Sequence, residues 1–354
     1  MLPQSATLLA ELSALQHERS PRPLPLFLEM VRMVAAEDPE MARDALAGLA
    51  KYERAERPPR KPAAPEIARI GPACLRDHGG SGPPALLLPS LINPPGILDL
   101  DARMSLAAAI SGMGRRALLL DWGIAAERSR LSVSDHVTEL VAPLIAELGE
   151  PPALIGYCLG GTMAISAANI AAVERVATLA APWHFSNYPA ESRATLERLW
   201  ASAAPAAKRL GALPMEVLQG AFWSLDPERT VRKFADFSRL DAASEAAARF
   251  VTLEEWANEG EPLPCPAARE LLEDFFGADL PGRGEWTIAG RPMQERLAVP
   301  TLHFTASRDR ITPADTAADG PSEQIEAGHV GMVIGSARSK LHAGLRAFLD
   351  PACR

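Results

Sequence analysis

The chain lacks any apolar run long enough to cross a bilayer. Its longest, "ALLLPSLI" and "RALLLDWG", fall far short of the roughly 20 residues a spanning helix needs. It is poor in cysteine: Cys74, Cys158, Cys265 and Cys353 are scattered, with no CxxC and no metal-ligand spacing. That excludes a disulfide framework and a zinc cluster, and suits free thiols in a reducing cytoplasm. It also lacks excess positive charge. With 36 Lys and Arg against 44 Asp and Glu, net charge −8 and pI ≈ 5.5, nothing points to nucleic acid or an anionic membrane as the main partner. Residues 1–20 carry Glu11, His17 and Glu18 and no apolar h-region, so no signal peptide is expected. No internal repeat is present.

What is there is a large apolar fraction, 47% of 354 residues, enough for one large α/β domain with appendages or for two domains. Residues 1–53 read as helical, with Leu8, Leu9, Leu12 and Leu15 on one face and the same period continuing through "LPLFLEMVRMVAAEDPEMARDALAGLAKYE". Residues 54–66, "RAERPPRKPAAPE", are charged and proline-rich and read as a linker. The period then shortens. Strands are expected at Ile67–Ile70, Cys74–Asp77, Ala85–Leu91, Ala117–Asp121, Ala153–Gly156, Val176–Ala180 and Thr301–Thr305, with helical patterns such as "SVSDHVTELVAPLIAEL" between the later ones. This alternation implies a mostly parallel sheet covered by helices, over residues 67–184 and 295–354. Residues 185–294 interrupt it with a helix-rich segment, expected to be a cap inserted over the strand ends.

The sharpest local signal is "IGYCLGGTM", Ile155 to Met163, between an apolar strand and a helical pattern. Gly156 and Gly160 flank Cys158 two positions away on either side, as the sharp turn of a nucleophile elbow requires. Such a turn lifts the side chain out of the sheet and aims the N–H of Leu159 at an oxyanion, while the helix start favours thiolate. Most free cysteines are simply small buried hydrophobes, and the pentapeptide alone does not decide. The partners do. A base is needed later in the chain and a carboxylate between. His329 stands in the glycine-bracketed loop "EAGHVGMVIG", and Asp309 in "SRDRITP" follows the strand "TLHFTA". His303 lies inside that strand and reads as a core residue. His342, in the terminal amphipathic helix, reads as solvated.

In this set of segments the chain resembles the polyhydroxyalkanoate synthases, most closely the class III catalytic subunits. "LLLPSLINPPGILDL", "LLLDWG", "GYCLGGT", "FVTLEEW", "ELLEDFFGADLPGRGEWTIAGRPMQERLAVPTL", "SRDRITP" and "AGHVGM" occur in that family's order. The resemblance implies an α/β-hydrolase fold: a mostly parallel sheet with a largely helical cap insertion, here with N-terminal helices added. It implies Cys158 as nucleophile, His329 as base and Asp309 as carboxylate. It implies 3-hydroxyacyl-coenzyme A as substrate rather than cofactor, with no other cofactor, and a growing polyester as product. It also implies an accessory subunit or homodimer as partner and a place at polymer granules in the cytoplasm. There are departures. Gly96 stands where the family has tyrosine, Arg310 where histidine follows the carboxylate, and "PWHF" puts His184 where an aspartate is usual.

A cysteine suits that chemistry, since exchanging one thioester for another keeps the acyl group activated for attack by a hydroxyl. Backbone N–H groups of Leu159 and Ile92 would hold the oxyanion. Phe222, Trp223, Phe234, Phe237, Trp256, Phe275 and Phe276 suit a dry cap entrance, though most of them read as well or better as plain cap core, with Trp256 in the best-matched cap motif assigned to substrate. Asp99, Asp121 and His184 read as structural, and Cys265 and Cys353 as incidental. "EGEPLPCPA" and "LPGRGEW" are candidate cap hinges. Two other functions fit the same residues: a cysteine-nucleophile hydrolase (a thioesterase or intracellular polyester depolymerase) and a non-catalytic granule-associated protein.

Overall fold

The computed structural model describes residues 20–57, 59 and 61–350. The leucine face at residues 8–15 and Cys353 lie outside these. Eight strands form the main sheet: β1 (Glu66–Ile70), β2 (Ala73–Asp77), β3 (Pro84–Leu88), β4 (Arg116–Asp121), β5 (Ala153–Tyr157), β6 (Arg175–Leu179), β7 (Thr301–Ala306) and β8 (Ser322–Ile325). Their order is β1-β2-β4-β3-β5-β6-β7-β8. β2 runs antiparallel to both β1 and β4, and every pairing from β4 to β8 is parallel. This is the α/β-hydrolase topology.

The central strands are apolar along their whole length because both faces are covered. Alternate side chains serve opposite sides. Leu86, Leu88, Leu118, Leu120 and Leu154 pack into one apolar cluster, and Ala85, Leu87, Ala117, Leu119, Ala153 and Ile155 into the other. β8 is the strand that the apolar pattern misses. Its sequence Ser-Glu-Gln-Ile is exposed except for Ile325, as befits an edge held by backbone pairing to β7.

Helices α1 (Leu24–Ala35) and α2 (Pro39–Arg54) precede the sheet, α3 (Leu106–Ser111) connects β3 to β4, and α4 (Ala142–Glu147) connects β4 to β5. α5 (Leu159–Ile170) follows β5. Between β6 and β7 the chain forms α6 (Ala190–Leu210), α7 (Met215–Ser224), α8 (Pro227–Ser238), α9 (Glu245–Asn258), α10 (Cys265–Arg269) and a π-helical turn, Glu270–Gly277. α11 (Gly331–Ile334) and α12 (Arg338–Leu349) close the described chain. No helix among the described residues is long and apolar enough to cross a membrane.

α1 and α2 do not pack on the sheet. They join α8 and α9 in a separate apolar cluster containing Phe27, Tyr52, Phe234, Phe237 and Val251. Phe27 and Phe234 meet edge-on at 4.7 Å, Tyr52 donates to Glu255 at 2.6 Å, and Lys51 reaches the carbonyl of Phe237 at the end of α8. The two candidate hinges are both tied. Leu263, fully buried, pairs with Leu213, and the N–H of Cys265 donates to Gly211. In "LPGRGEW", the Trp286 indole donates to Ser134 and Glu270, while the Asp279 carboxylate just before it accepts from the N–H groups of Phe185 and Gly282. His342 departs from expectation. It is half-buried on α12 with its Nε2 out of solvent and unpartnered, and burial pushes its pKa down.

α2 and α8 approach so closely that a Cβ at Gly48 would lie 1.9 Å from the carbonyl oxygen of Phe234. Gly48→Ala should therefore destabilise the protein by about 2 kcal/mol or more, as overpacking against rigid backbone does. Equilibrium urea unfolding would measure this, and an unchanged midpoint would contradict the contact.

Candidate active site

Parallel strands deliver their C-terminal ends to one edge of the sheet, and the candidate residues arrive there from four of them. Cys158 follows β5, Asp309 follows β7, His329 follows β8, and Ile92 lies on the loop after β3. Cys158 sits at φ 55°, ψ −131°, a left-handed backbone that a non-glycine residue adopts only when its surroundings enforce it. The glycines enforce it by admitting backbone where side chains would stand. A Cβ at Gly156 would come within 2.4 Å of Gly160 and Gly161, and one at Gly160 within 2.2 Å of the Leu88 carbonyl oxygen. Gly161, not singled out by spacing, is equally confined: its Cβ would meet that of Ala181 at 2.3 Å.

Leu159 opens α5, so its N–H has no acceptor within the helix. The other proposed donor, Ile92 N–H, points to Ser90 Oγ at 3.3 Å, a long bond that an oxyanion could replace. The loop carrying Ile92 is fixed from below by Trp122. Its indole N–H donates to the carbonyls of Pro89 and Ser90 at 3.3 and 3.1 Å.

His329 Nδ1 lies 2.7 Å from Asp309 Oδ2 and 3.2 Å from Thr312 Oγ1. The other oxygen of Asp309 accepts two backbone N–H bonds, from Ile311 and Thr312, both at 2.8 Å. Both carboxylate oxygens are thus occupied, and the Asp309 side chain is fully buried. Tyr157 supports the imidazole from the side, its ring 5.0 Å away and its hydroxyl donating to the His329 carbonyl at 3.5 Å. Burial alone would disfavour a charged imidazole. The Asp309 carboxylate outweighs it, aided by the nearby Cys158, and pushes the His329 pKa up to about 10. Thr312, Ile311 and Tyr157 carry no marker in the sequence except one. A residue three positions after an aspartate at a strand end is where its side chain caps a turn.

Two cavities meet at Cys158. One, about 290 Å³, is lined by His329, Trp256, Ile97, Arg229, Arg308 and Arg310 among others. The second, about 420 Å³, lies between α6, α7 and the Glu270–Gly277 turn. Trp256 is anchored by an indole N–H bond to the Pro94 carbonyl at 3.0 Å and stands beside Gly96. Phe222 lines both cavities, Trp223 the first and Phe276 the second. Phe234 and Phe237 face the N-terminal helices instead, and Phe275 stacks in the core on Phe185 and Trp286.

The remaining candidates are elsewhere. His303 is buried in β7 with Nδ1 on Thr178 Oγ1 at 2.8 Å. Asp99 pairs with Lys61 and Ser105, and Asp121 with Arg76. Half-buried Cys265 has its thiol pKa raised by burial. His184 bonds Glu295 at 2.8 Å where the chain leaves and re-enters the core. With Asp319 these form the one group among the described residues that could hold a metal ion. None of the three lines a cavity with Cys158.

No family model matches the chain. Among curated relatives, the poly(3-hydroxyalkanoate) polymerase subunit PhaC of Haloferax mediterranei is 26% identical over 275 residues, covering 72% of this chain and 55% of the relative. That of Synechocystis is 24% identical over 275 residues, covering 71% and 73%. That of Allochromatium vinosum is 22% identical over 276 residues, covering 73% and 77%. The chain thus spans little more than half the length of the haloarchaeal relative. Solved structures similar to it include a monoacylglycerol lipase of Paleococcus ferrophilus, at TM-score 0.48 and 17% identity, covering 78% of this chain and 98% of the lipase. A non-heme bromoperoxidase of Mycobacterium tuberculosis aligns at TM-score 0.47 and 16% identity, covering 82% and 98%.

Two outcomes are expected. Histidine-labelled protein examined by nitrogen-15 NMR should keep His329 doubly protonated from about pH 7 to about pH 9. In Asp309→Asn, burial acts against one opposing charge fewer, and the titration should move down by at least about one pH unit. An unmoved titration would show that Asp309 does not govern the imidazole. Gly160→Ala, forced onto the Leu88 carbonyl, should cost about 3 kcal/mol or more in unfolding free energy. Wild-type stability would refute the turn as described.

Proposed function

We propose, from the similarity to poly(3-hydroxyalkanoate) polymerase subunits and the grouping of Cys158, His329 and Asp309, that this chain is an acyltransferase. It would polymerise 3-hydroxyacyl units from coenzyme A thioesters. The observation that carries the reading is a thiol on a sharp glycine-flanked turn, lining the same cavity as an imidazole that a buried carboxylate orients.

In the first half-reaction the Cys158 thiolate attacks the thioester carbonyl. The new bond is Cys158 Sγ–acyl carbon, the broken one is acyl carbon–sulfur of coenzyme A, and the departing thiolate takes the proton from His329. In the second, a hydroxyl of another 3-hydroxyacyl unit or of the chain end attacks the enzyme thioester. Its proton passes to His329 and Cys158 leaves as thiolate, restoring the starting pair. With both Asp309 oxygens engaged, its role is to orient and charge-balance the imidazole rather than to meet the hydroxyl. The developing oxyanion is held by the N–H groups of Leu159 and Ile92, each such donor being worth roughly 3 kcal/mol in the transition state. The reading includes an accessory subunit or second copy and attachment to polymer granules.

A hydrolase would need water at the thioester, and Gly96 and His184 are the two departures from the family that could admit it. His184 is engaged by Glu295 and lines neither cavity, and the space beside Gly96 holds the Trp256 indole. Purified protein given 3-hydroxybutyryl-coenzyme A should release coenzyme A and accumulate polyester. Coenzyme A with only monomeric acid would assign it to the hydrolases, and no release from thioesters of any chain length to the non-catalytic class. Cys158→Ala should abolish acyl loading, read as loss of the mass adduct on intact protein.

A further inference from the structure

Cys158 forms part of the wall of two adjoining, largely apolar cavities that share Ile92, Phe222, Arg310 and Ile311 and differ in how many cations they carry. At the first, Arg229 and Arg308 have no carboxylate partner among the described residues, and Arg310 has Asp226 at 3.0 Å. The guanidinium of Arg229 stands about one van der Waals contact from Gly328, next to His329. In a chain of net charge −8, an exposed group of arginines at one cavity is a local anion field. The second cavity is larger, about 420 Å³, and its walls are Leu196, Leu218, Phe222, Leu271, Leu272 and Phe276. Glu191, Ser192, Thr195 and Ser224 belong to helix surfaces that also reach solvent, Thr312 is buried, and the one cation at this cavity, Arg310, is shared with the first and paired with Asp226.

A thioester bound with its carbonyl oxygen toward Leu159 and Ile92 sends its two substituents in different directions from the carbonyl carbon. The phosphorylated carrier belongs on the arginine side, because apolar walls would strip water from its charges without replacement. The acyl substituent is left facing the apolar cavity.

We propose that the cavity between α6, α7 and the Glu270–Gly277 turn receives the alkyl substituent of the acyl group. The chain would then take medium-length 3-hydroxyacyl thioesters, about eight to ten carbons, in preference to the four-carbon unit, a cavity of this size being in the range of small-molecule sites. The inference rests on the acyltransferase reading above. A four-carbon acyl group carries a single methyl beyond its hydroxyl-bearing carbon and leaves nearly all of this space to water against apolar walls. Each further methylene that leaves water for those walls is worth about fourfold in binding.

The test is single-turnover loading of Cys158 by 3-hydroxybutyryl-, 3-hydroxyoctanoyl- and 3-hydroxydecanoyl-coenzyme A, followed by intact-protein mass and coenzyme A release. The efficiency of loading should rise at least about tenfold from four carbons to eight or ten, allowing for incomplete burial of each methylene. Ala221→Phe on α7 and Leu196→Phe on α6, which narrow the cavity from different helices, should each cut the ten-to-four-carbon ratio by about tenfold. Two variants guard against one that fails to fold. A flat or falling chain-length profile overturns the proposal. So does a rising one that neither variant changes, and so does a preference seen only in elongation, which would make the cavity a polymer path. Absence of any adduct with all three thioesters is a different result: it removes the acyltransferase reading, and this inference with it.

Discussion

The site depends on one contact that only glycine permits, the approach of Gly160 to the carbonyl oxygens of Leu88 and Pro89. That contact sets the first turn of α5 against the end of β3. It therefore fixes three things at once: the height of Cys158 above the sheet, the direction of the Leu159 N–H, and the path of the loop bearing Ile92. The left-handed backbone at Cys158 is the cost of this arrangement, sustained by Gly156 and Gly161 on the other side of the turn. Trp122 completes the clamp by holding the carbonyls of Pro89 and Ser90 from the neighbouring strand end. His329 and Asp309 need no comparable strain. β7 and β8 are parallel to β5 and simply end at the same edge.

The charge arrangement follows from burial. A carboxylate with no solvent exposure must find its partners in the protein, and Asp309 finds two backbone donors and one imidazole. Its negative charge in turn holds a proton on His329. Above the edge, the helices inserted between β6 and β7 leave two adjoining spaces at the sulfur, of which the first carries Arg229, Arg308 and Lys233 and the second shares only Arg310 with it.

Much of this was legible in the residues, and the rest was not for identifiable reasons. The sheet strands could be read because full burial leaves uninterrupted apolar runs. β8 could not, since an exposed edge strand has no apolar pattern to show. Cys158, Gly156 and Gly160 were legible because the elbow is local. Asp309 and His329 needed only their order along the chain and their place after strands. Thr312, Ile311, Tyr157 and Trp122 act through contacts between segments far apart in sequence or through backbone groups, which residue identity does not reveal. His342 looked solvated on a helical pattern, yet packing hides one face of α12. The apolar faces of α1 and α2 declared that they would be buried but not against what.

That last pairing has a consequence for how the protein is made. α1 and α2 leave the ribosome before the sheet, but their apolar faces are covered by α8 and α9, about 180 residues downstream. At ordinary synthesis rates, Phe27, Met30, Leu49 and Tyr52 wait roughly 10–40 seconds for Phe234 and Val251 to appear. During that interval the sheet strands β1 to β6 are also emerging, with apolar surface of their own. The nascent chain therefore has a long window in which α1 and α2 can find the wrong partner. A holdase would be of most use to this protein on these two helices, until the inserted helices arrive.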